Sequence, residues 1–240
     1  MYLTVDIGLR NLSMCCMSCI DKNDLSSYQL HFWDVINTLQ HEEHKCSAVM
    51  KGGNICNKKC SLQYENNGVQ HYSCRTHFPK DIKKLKKNEY KDKLVKDFIL
   101  QDIALIVLQK VEELCVLEYE TFKRVHHVVI ELQPKINNKM KFVSHLIFGK
   151  FVEFYKGTNT TVRFVRASQK LKGYTGPDFK CTLKGAYAKR KWLSIQYTKW
   201  YLENKLSKEQ LNYWMPIFMS KPTQADMGDT FLMALNALKK

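Results

Sequence analysis

Val5-Asp6-Ile7-Gly8-Leu9-Arg10-Asn11-Leu12 closes the apolar run with which the sequence opens, Met1-Tyr2-Leu3-Thr4. Such a run reads as a buried strand, and nothing apolar explains a carboxylate at its end. A buried, unpaired carboxylate is costly, so Asp6 calls for a cation, a hydrogen-bond network or water. Two further acidic sites keep similar company. Val128-Val129-Ile130-Glu131 ends a second apolar run in a glutamate, and Asp226-Met227-Gly228-Asp229 opens an apolar helix.

Outward from Asp6, residues 2–6, 12–20 and 28–35 read as three short strands, an antiparallel meander. Cys15, Cys16 and Cys19 fit as small core residues of the second. Residues 41–80 break the pattern: Cys, His, Gly, Lys and Asn are plentiful, aliphatics are few, and no helical or strand period holds. A lysine-rich stretch leads to a helix expected over 92–119, with Leu94, Phe98, Ile99, Ile103, Ile106, Val107 and Val111 on one stripe. A strand is expected at 126–132, a loop at Pro134 and Asn137-Asn138, and a helix at 139–156 with Met140, Val143, Leu146, Ile147, Phe151 and Phe154 inward. A strand follows at 160–165, an irregular polar stretch at 167–184, then helices at 186–205 and 224–238. This order predicts an α/β fold: a mixed sheet, antiparallel over its first three strands, flanked by helices. No G-x-G-x-x-G follows the first strand, which argues against a dinucleotide-binding fold.

A chain of 240 residues can bury one substantial core and carry a small inserted module. We therefore expect a core from residues 1–40 and 81–240 and an insertion at 41–80. Thirty-eight Lys and Arg against 23 Asp and Glu leave a formal charge of +15, which favours a polyanionic partner such as nucleic acid. No apolar run is long enough for a bilayer, and no signal-peptide pattern opens the sequence, so an intracellular protein without membrane contact is expected. Nine cysteines without a secretion signal point to reduced thiols and a metal site rather than disulfides.

Taken singly, the acids have plain explanations: capping for Asp226 and Asp229 in a first helical turn, a salt bridge for Glu131. Spacing of i and i+3 puts Asp226 and Asp229 on one helical face. If all four converge, they repel one another unless cations are bound, and oxygen ligands suit Mg²⁺ or Mn²⁺. Two such ions can activate a water and stabilise the leaving oxygen of a phosphodiester.

Val5-Asp6-Ile7-Gly8-Leu9-Arg10-Asn11-Leu12, Val129-Ile130-Glu131-Leu132-Gln133 and Asp226-Met227-Gly228-Asp229-Thr230-Phe231-Leu232 together resemble the active-site motifs of RuvC-like Holliday junction resolvases. The likeness is greatest to the branch in poxviruses and other large cytoplasmic DNA viruses, and it covers most of the chain outside 41–80. It implies an RNase H-like fold and a Mg²⁺-dependent homodimer that nicks four-way junctions symmetrically. It also implies that Asp6, Glu131, Asp226 and Asp229 are catalytic ligands of two ions. Gly8 would let the backbone turn beside the phosphate, and Asn11 would support the turn or a ligand. Lys189, Arg190 and Lys191 best match the family's basic, DNA-contacting helix start, although a solvated helix face explains them equally. A viral origin would place the protein at replication sites in the host cytoplasm.

Cys46-x9-Cys56-x3-Cys60-x13-Cys74-x2-His77 offers five soft ligands within 32 residues. A segment so poor in aliphatics needs a staple to fold, and Zn²⁺ takes four such ligands tetrahedrally. The preferred set is Cys46, Cys56, Cys74 and His77, with Cys60 as alternative to Cys56 and His71 as a loop residue. Trp192, Tyr197, Trp200, Tyr201, Tyr213 and Trp214 at helical spacing read as core or dimer interface. Phe142 and Phe148 could line a subunit contact. Two competing readings stand beside the resolvase: an RNase H-fold nuclease for flaps, forks or hybrids, and a non-catalytic zinc-stabilised DNA-binding protein.

Overall fold

The first three apolar runs pair as neighbouring strands, the first two of them buried along nearly their whole length. The computed structural model describes residues 1–39, 44–79, 88–89, 97–133 and 137–239. In chain order these form β1 (Tyr2–Ile7), β2 (Asn11–Cys19), β3 (Tyr28–Asn37), β4 (Leu62–Asn66), β5 (Val69–Ser73) and β6 (Asn88–Glu89). Then come α1 (Leu100–Leu117), α2 (Tyr119–Phe122), β7 (His127–Leu132), α3 (Asn138–Phe154), β8 (Thr161–Arg166), α4 (Ala186–Asn204), α5 (Lys208–Ser220) and α6 (Gln224–Leu238). The chain divides into two units, Met1–Leu39 with Leu100–Lys240, and Gln40–Ile99.

The first unit holds a five-stranded sheet in the order β3-β2-β1-β7-β8. β1, β2 and β3 pair antiparallel, whereas β1–β7 and β7–β8 are parallel. This is the mixed, helix-flanked sheet, antiparallel over its first three strands, that the sequence order predicts. Both faces are covered. α3 packs on β1, β7 and β8 and against α1, while α6 packs on β1, β2 and β3 and against α4. The α6 side is closed by Trp33, Tyr201, Phe218, Phe231 and Leu235, all buried. Trp33 stacks on Phe218 at 5.1 Å and donates its indole N–H to the Met227 carbonyl at 2.9 Å, tying β3 to the start of α6.

Several expectations are corrected. α1 begins at Leu100, not 92, and Ile99 is 61% exposed; residues 92–96 of the expected helix lie outside the described ones. The apolar stripe of 103, 107 and 111 is buried as read. α5 went unpredicted, although Ser207-Lys208-Glu209-Gln210 has the form of a capping box and the Ser207 hydroxyl accepts the Gln210 amide. Half-buried Phe148 stacks on Phe164 of β8 at 5.0 Å. Of the aromatics, Tyr201 and Trp214 are core, Tyr213 is exposed, and Tyr174 stacks on Tyr197 at 3.6 Å beside half-buried Trp192 and Trp200.

The second unit contains a strand order β5-β4-β6. β4 and β5 form a hairpin, where no strand was expected, turned by Asn67-Gly68 with φ of 52° and 77°. Asn-Gly with both φ positive is the two-residue turn whose twist suits a hairpin. His71 accordingly lies in β5, stacked on Tyr64, and not in a loop.

Candidate active site and metal centre

The parallel register of β1 and β7 pairs Val5 with Ile130, so one step further Asp6 and Glu131 stand together at the C-terminal edge of the sheet. Alternation along a strand points Asp6 to the same side as Thr4, and Glu131 to the same side as Val129. Both companions face α6: the Thr4 hydroxyl donates to the Thr230 carbonyl at 2.8 Å, and Val129 packs with Met233 and Ala237. Ser13 Oγ and Thr230 Oγ1 bond at 3.1 Å, adding a second pin. α6 is thus held with its first turn, and Asp226 and Asp229, above the two strand carboxylates.

Gly228 makes that placement possible from the other side. A Cβ there would meet Ser194 Oγ at 2.8 Å and Thr198 Oγ1 at 2.9 Å, so α4 and α6 touch nearly backbone to backbone. This contact brings Lys191 of α4 to the acids of α6. At the opening turn, Gly8 is needed for a different reason: a Cβ would lie 2.7 Å from the Asn11 carbonyl, which accepts the Gly8 amide. The Asn11 amide donates to Asp226 Oδ2 at 3.1 Å.

The four carboxylates converge on two ammonium groups rather than on a single point. Lys170 Nζ lies 2.9 Å from Asp6, 2.9 Å from Glu131 and 3.1 Å from Asp229. Lys191 Nζ lies 2.6 Å from Asp226 and 3.3 Å from Asp229, so Asp229 bridges the two. Burial disfavours the charge on Lys170, but Asp6, Asp229 and Glu131 outweigh it and raise its pKa. Lys191 is raised likewise, its desolvation outweighed by Asp229 and Asp226. Burial also pushes Asp6 up to about 7, against the pull of Lys170 and helped by the hydrogen bond and charge of Glu131. Glu131 moves the other way: burial acts upward, but its bonds to Asp6 and Lys170 hold it below the usual range. The Gln133 amide donates to Glu131 Oε2 at 3.3 Å.

These groups line a cleft of about 460 Å³ that also includes Arg10, Met140, Tyr187 and Arg190. Tyr187 and Arg190 are exposed at its rim, the guanidinium 6.0 Å from the ring centroid. The donor set is entirely carboxylate oxygen, which suits hard divalent cations, and the rim is basic, which suits an anionic substrate.

No family model matches the chain. An uncharacterized protein of Acanthamoeba polyphaga mimivirus is 28% identical over 233 residues, covering 88% of this chain and 54% of the relative. The chain therefore spans about half the length of that relative. Among solved structures, the yeast mitochondrial Holliday junction resolvase is similar with a TM-score of 0.46 and 12% identity, over 99% of this chain and 78% of that one. Fowlpox virus resolvase in complex with its substrate Holliday junction DNA gives 0.44 and 15%, over 100% and 99%. RuvC of Thermus thermophilus with a Holliday junction substrate gives 0.46 and 8%, over 99% and 92%.

Of the residues singled out in the sequence, Asp6, Glu131, Asp226, Asp229, Arg190 and Lys191 share one cleft; Lys189 is exposed and does not line it. Lys170 was missed. It sits in the short 3-10 helix Ala167–Gly173, directly after β8, inside the stretch read only as irregular and polar. Its signal was positional: β8 is the third parallel strand, and the segment beyond its C-terminal end reaches the same edge as Asp6 and Glu131.

In the second unit, the ligand atoms of Cys46, Cys56, Cys74 and His77 all lie within 4.8 Å of one another. Cys46 Sγ and Cys74 Sγ are 3.6 and 3.5 Å from His77 Nδ1, and Cys56 Sγ is 4.0 Å from Cys74 Sγ. A tetrahedral ion with bonds of about 2.0–2.3 Å sets its ligand atoms about 3.5–3.8 Å apart, so the set fits. Burial pushes the Cys74 thiol up, but the N–H groups of His77 and Thr76, with Cys46 and Cys56, outweigh it and bring the thiol down to about 7. Cys60 is buried beside the set without joining it; burial, then Cys46, Cys74 and Cys56, raise its pKa.

Proposed function

We propose that the chain is a metal-dependent endonuclease that resolves four-way (Holliday) junctions, acting as a homodimer that makes paired symmetric nicks. Residues 1–40 and 81–240 form its nuclease core, and 41–80 a zinc-binding insertion. The observation that carries this reading is the convergence of four carboxylates, drawn from β1, β7 and α6, on one cleft with a basic rim. A surface that merely bound phosphate would avoid such a concentration of acid. In this reading Asp6, Glu131, Asp226 and Asp229 hold two Mg²⁺ or Mn²⁺ ions. Such ions, when bound, activate water and stabilise the leaving oxygen of a phosphodiester.

The protein's own residues do the rest. Lys170 and Lys191, now held by these carboxylates, are the ammonium groups that would turn to phosphate oxygens if the carboxylates were engaged by cations. Arg10 and Arg190 hold the backbone of the DNA at the rim, while Asn11 fixes the orientation of Asp226. Gln133 does the same for Glu131. Cys46, Cys56, Cys74 and His77 hold Zn²⁺, which replaces the hydrophobic core that the insertion lacks. The mimivirus relative supports a viral origin, and a viral nuclease of this kind would work at replication sites in the host cytoplasm.

The test is Mg²⁺-dependent cleavage of a panel of four-way junctions, flaps, forks and RNA–DNA hybrids by the wild type and Asp6→Asn. Junction cleavage lost in Asp6→Asn, with junction binding kept, supports the reading. Cleavage at the wild-type rate refutes the site, and preferred cutting of flaps or hybrids moves the substrate. Tight binding without any cleavage leaves a DNA-binding protein.

A further inference from the structure

The loop that carries two of the soft ligands has a feature that metal binding does not use. Between Lys45 and Lys59, which pair antiparallel, the backbone folds into a narrow finger. Its base is closed by the Cys46 amide donating to Lys58 and the Asn57 amide to Cys46, at 2.8 and 3.0 Å. Higher up, Cys56 N–H reaches Ala48 O and Met50 N–H reaches Asn54 O, both at 2.9 Å. Val49 and Ile55 face each other between those two bonds. In antiparallel pairs that position brings side chains closest together on one face. The tip is the turn Met50–Gly53, where Gly53 has φ of +80°.

At this tip the apolar side chains are outside. Val49 is 70%, Ile55 59% and Met50 42% exposed. Lys45, Lys51 and Lys58 are exposed on the same finger, and no acidic residue occurs anywhere from 44 to 64. With Cys46 and Cys56 at its base among the four clustered ligand atoms, a metal bound there would pin both sides of the finger. An apolar tip among lysines complements a polyanion that offers apolar faces. Duplex DNA hides its base faces, whereas branch points and single strands open them. Proteins exploit this by wedging aliphatic side chains against unstacked bases while cations hold the flanking phosphates.

We propose that Val49, Met50 and Ile55 form a wedge that engages unstacked bases of branched or single-stranded DNA, with Lys45, Lys51 and Lys58 on the adjoining phosphates. The idea deepens the nuclease reading and rests on it for the nature of the substrate.

The experiment uses the full chain with Asp6→Asn, so that DNA is held and not cut. It is compared with the same chain also carrying Val49→Ser, Met50→Ser and Ile55→Ser. Probes are a four-way junction with 2-aminopurine at the crossover, a mixed-sequence single strand, a linear duplex and, in a separate arm, phosphatidylserine vesicles. The tip variant is expected to bind junction and single strand about tenfold more weakly, on the scale of one lost base contact, and to lose the fluorescence rise at the crossover. Duplex affinity stays within about twofold, as backbone contacts dominate there. Changing Lys45, Lys51 and Lys58 to Gln weakens all three DNAs alike and flattens the salt dependence. Bound zinc, measured in each protein, confirms that the finger is intact; if the triple variant loses it, Ile55→Ser alone is read instead.

Unchanged affinity for junction and single strand overturns the wedge. So does an equal loss on duplex, or a loss confined to binding of phosphatidylserine vesicles, which makes the tip a membrane contact. If the parent chain does not prefer junctions to duplex but the tip variant still loses single-strand affinity, the wedge stands and the junction reading falls.

Discussion

Replacing Lys170 with methionine keeps the length of the side chain and removes the charge at the centre of the cleft. Lys170 is 9% exposed, with carboxylates at 2.9, 2.9 and 3.1 Å. Each contact is on the order of 5 kcal/mol of Coulomb attraction at an effective dielectric of about 20, and desolvation offsets much of the sum. Deleting one partner of a buried pair strands the others and costs about 3–5 kcal/mol. Lys170→Met is therefore expected to lose about 3–5 kcal/mol of unfolding free energy at pH 8 in magnesium-free buffer, measured by urea denaturation. The loss shrinks at pH 5.5, because Asp6, already at about 7, takes up a proton and relieves the repulsion. Saturating Mn²⁺ stabilises each protein by about 2.7 kcal/mol at a hundred times that protein's Kd, so at one ion concentration the gap narrows only by as much as the variant binds the ion more tightly than the wild type. A loss below about 1 kcal/mol at pH 8, the size of an ordinary substitution, would show that Lys170 does not neutralise the cluster.

Other outcomes follow from the same geometry. Asp6 has a folded pKa of about 7, above its ordinary 3.8, so its contribution to metal-free stability is full below about 4 and lost as pH rises to about 7. Binding of a divalent ion needs the ionised form, so Mn²⁺ affinity by titration calorimetry should rise about tenfold per pH unit up to about 7 and then level off; a flat profile contradicts the shift. Gly228→Ala drives a Cβ into Ser194 and Thr198 and should cost about 1–3 kcal/mol by thermal denaturation, with cleavage reduced; a neutral effect would mean that α4 and α6 part easily. One zinc per chain is expected by metal analysis, lost in Cys74→Ser and kept in Cys60→Ser; the reverse pattern would reassign the fourth ligand.

Much of the candidate site was legible because its residues are out of character with their surroundings. A carboxylate ending an apolar strand, as at Asp6 and Glu131, has no bland hydrophobic explanation. An i, i+3 pair of acids across a glycine, as at Asp226 and Asp229, proved to face a neighbouring helix at the glycine itself. Lys170 was not legible, since a lysine in a polar stretch looks solvated until the parallel strand before it is known to end at the same edge. The start of α1 was misjudged because apolar spacing continued through Ile99, which is exposed, while the buried stripe of the helix begins at Ile103. The hairpin at Asn67-Gly68 and the cap at Ser207 carried local signals stronger than the weak hydrophobic pattern around them. The Cys/His cluster was foreshadowed by the two-residue gap between Cys74 and His77, and Cys56, preferred over Cys60 from the sequence, is the cysteine whose sulfur lies with the other three ligand atoms.

The pins that hold α6 also set an order of assembly. Thr4 bonds to Thr230 across 226 positions and Ser13 to the same residue across 217, among the most distant pairings the chain can make. Non-local contacts must meet their loop-closure entropy before they reward it, so the locally connected meander can form before the last helix docks. During synthesis, β1 leaves the ribosome long before α6 exists. Until then Asp6 and Glu131 stand at an open sheet edge without Asp226 or Asp229. In that order the cleft is complete only once α6 docks, so refolding followed at Trp33, which bonds to Met227, is expected to keep pace with recovery of divalent-ion binding; ion binding that returns before the Trp33 signal would refute the order.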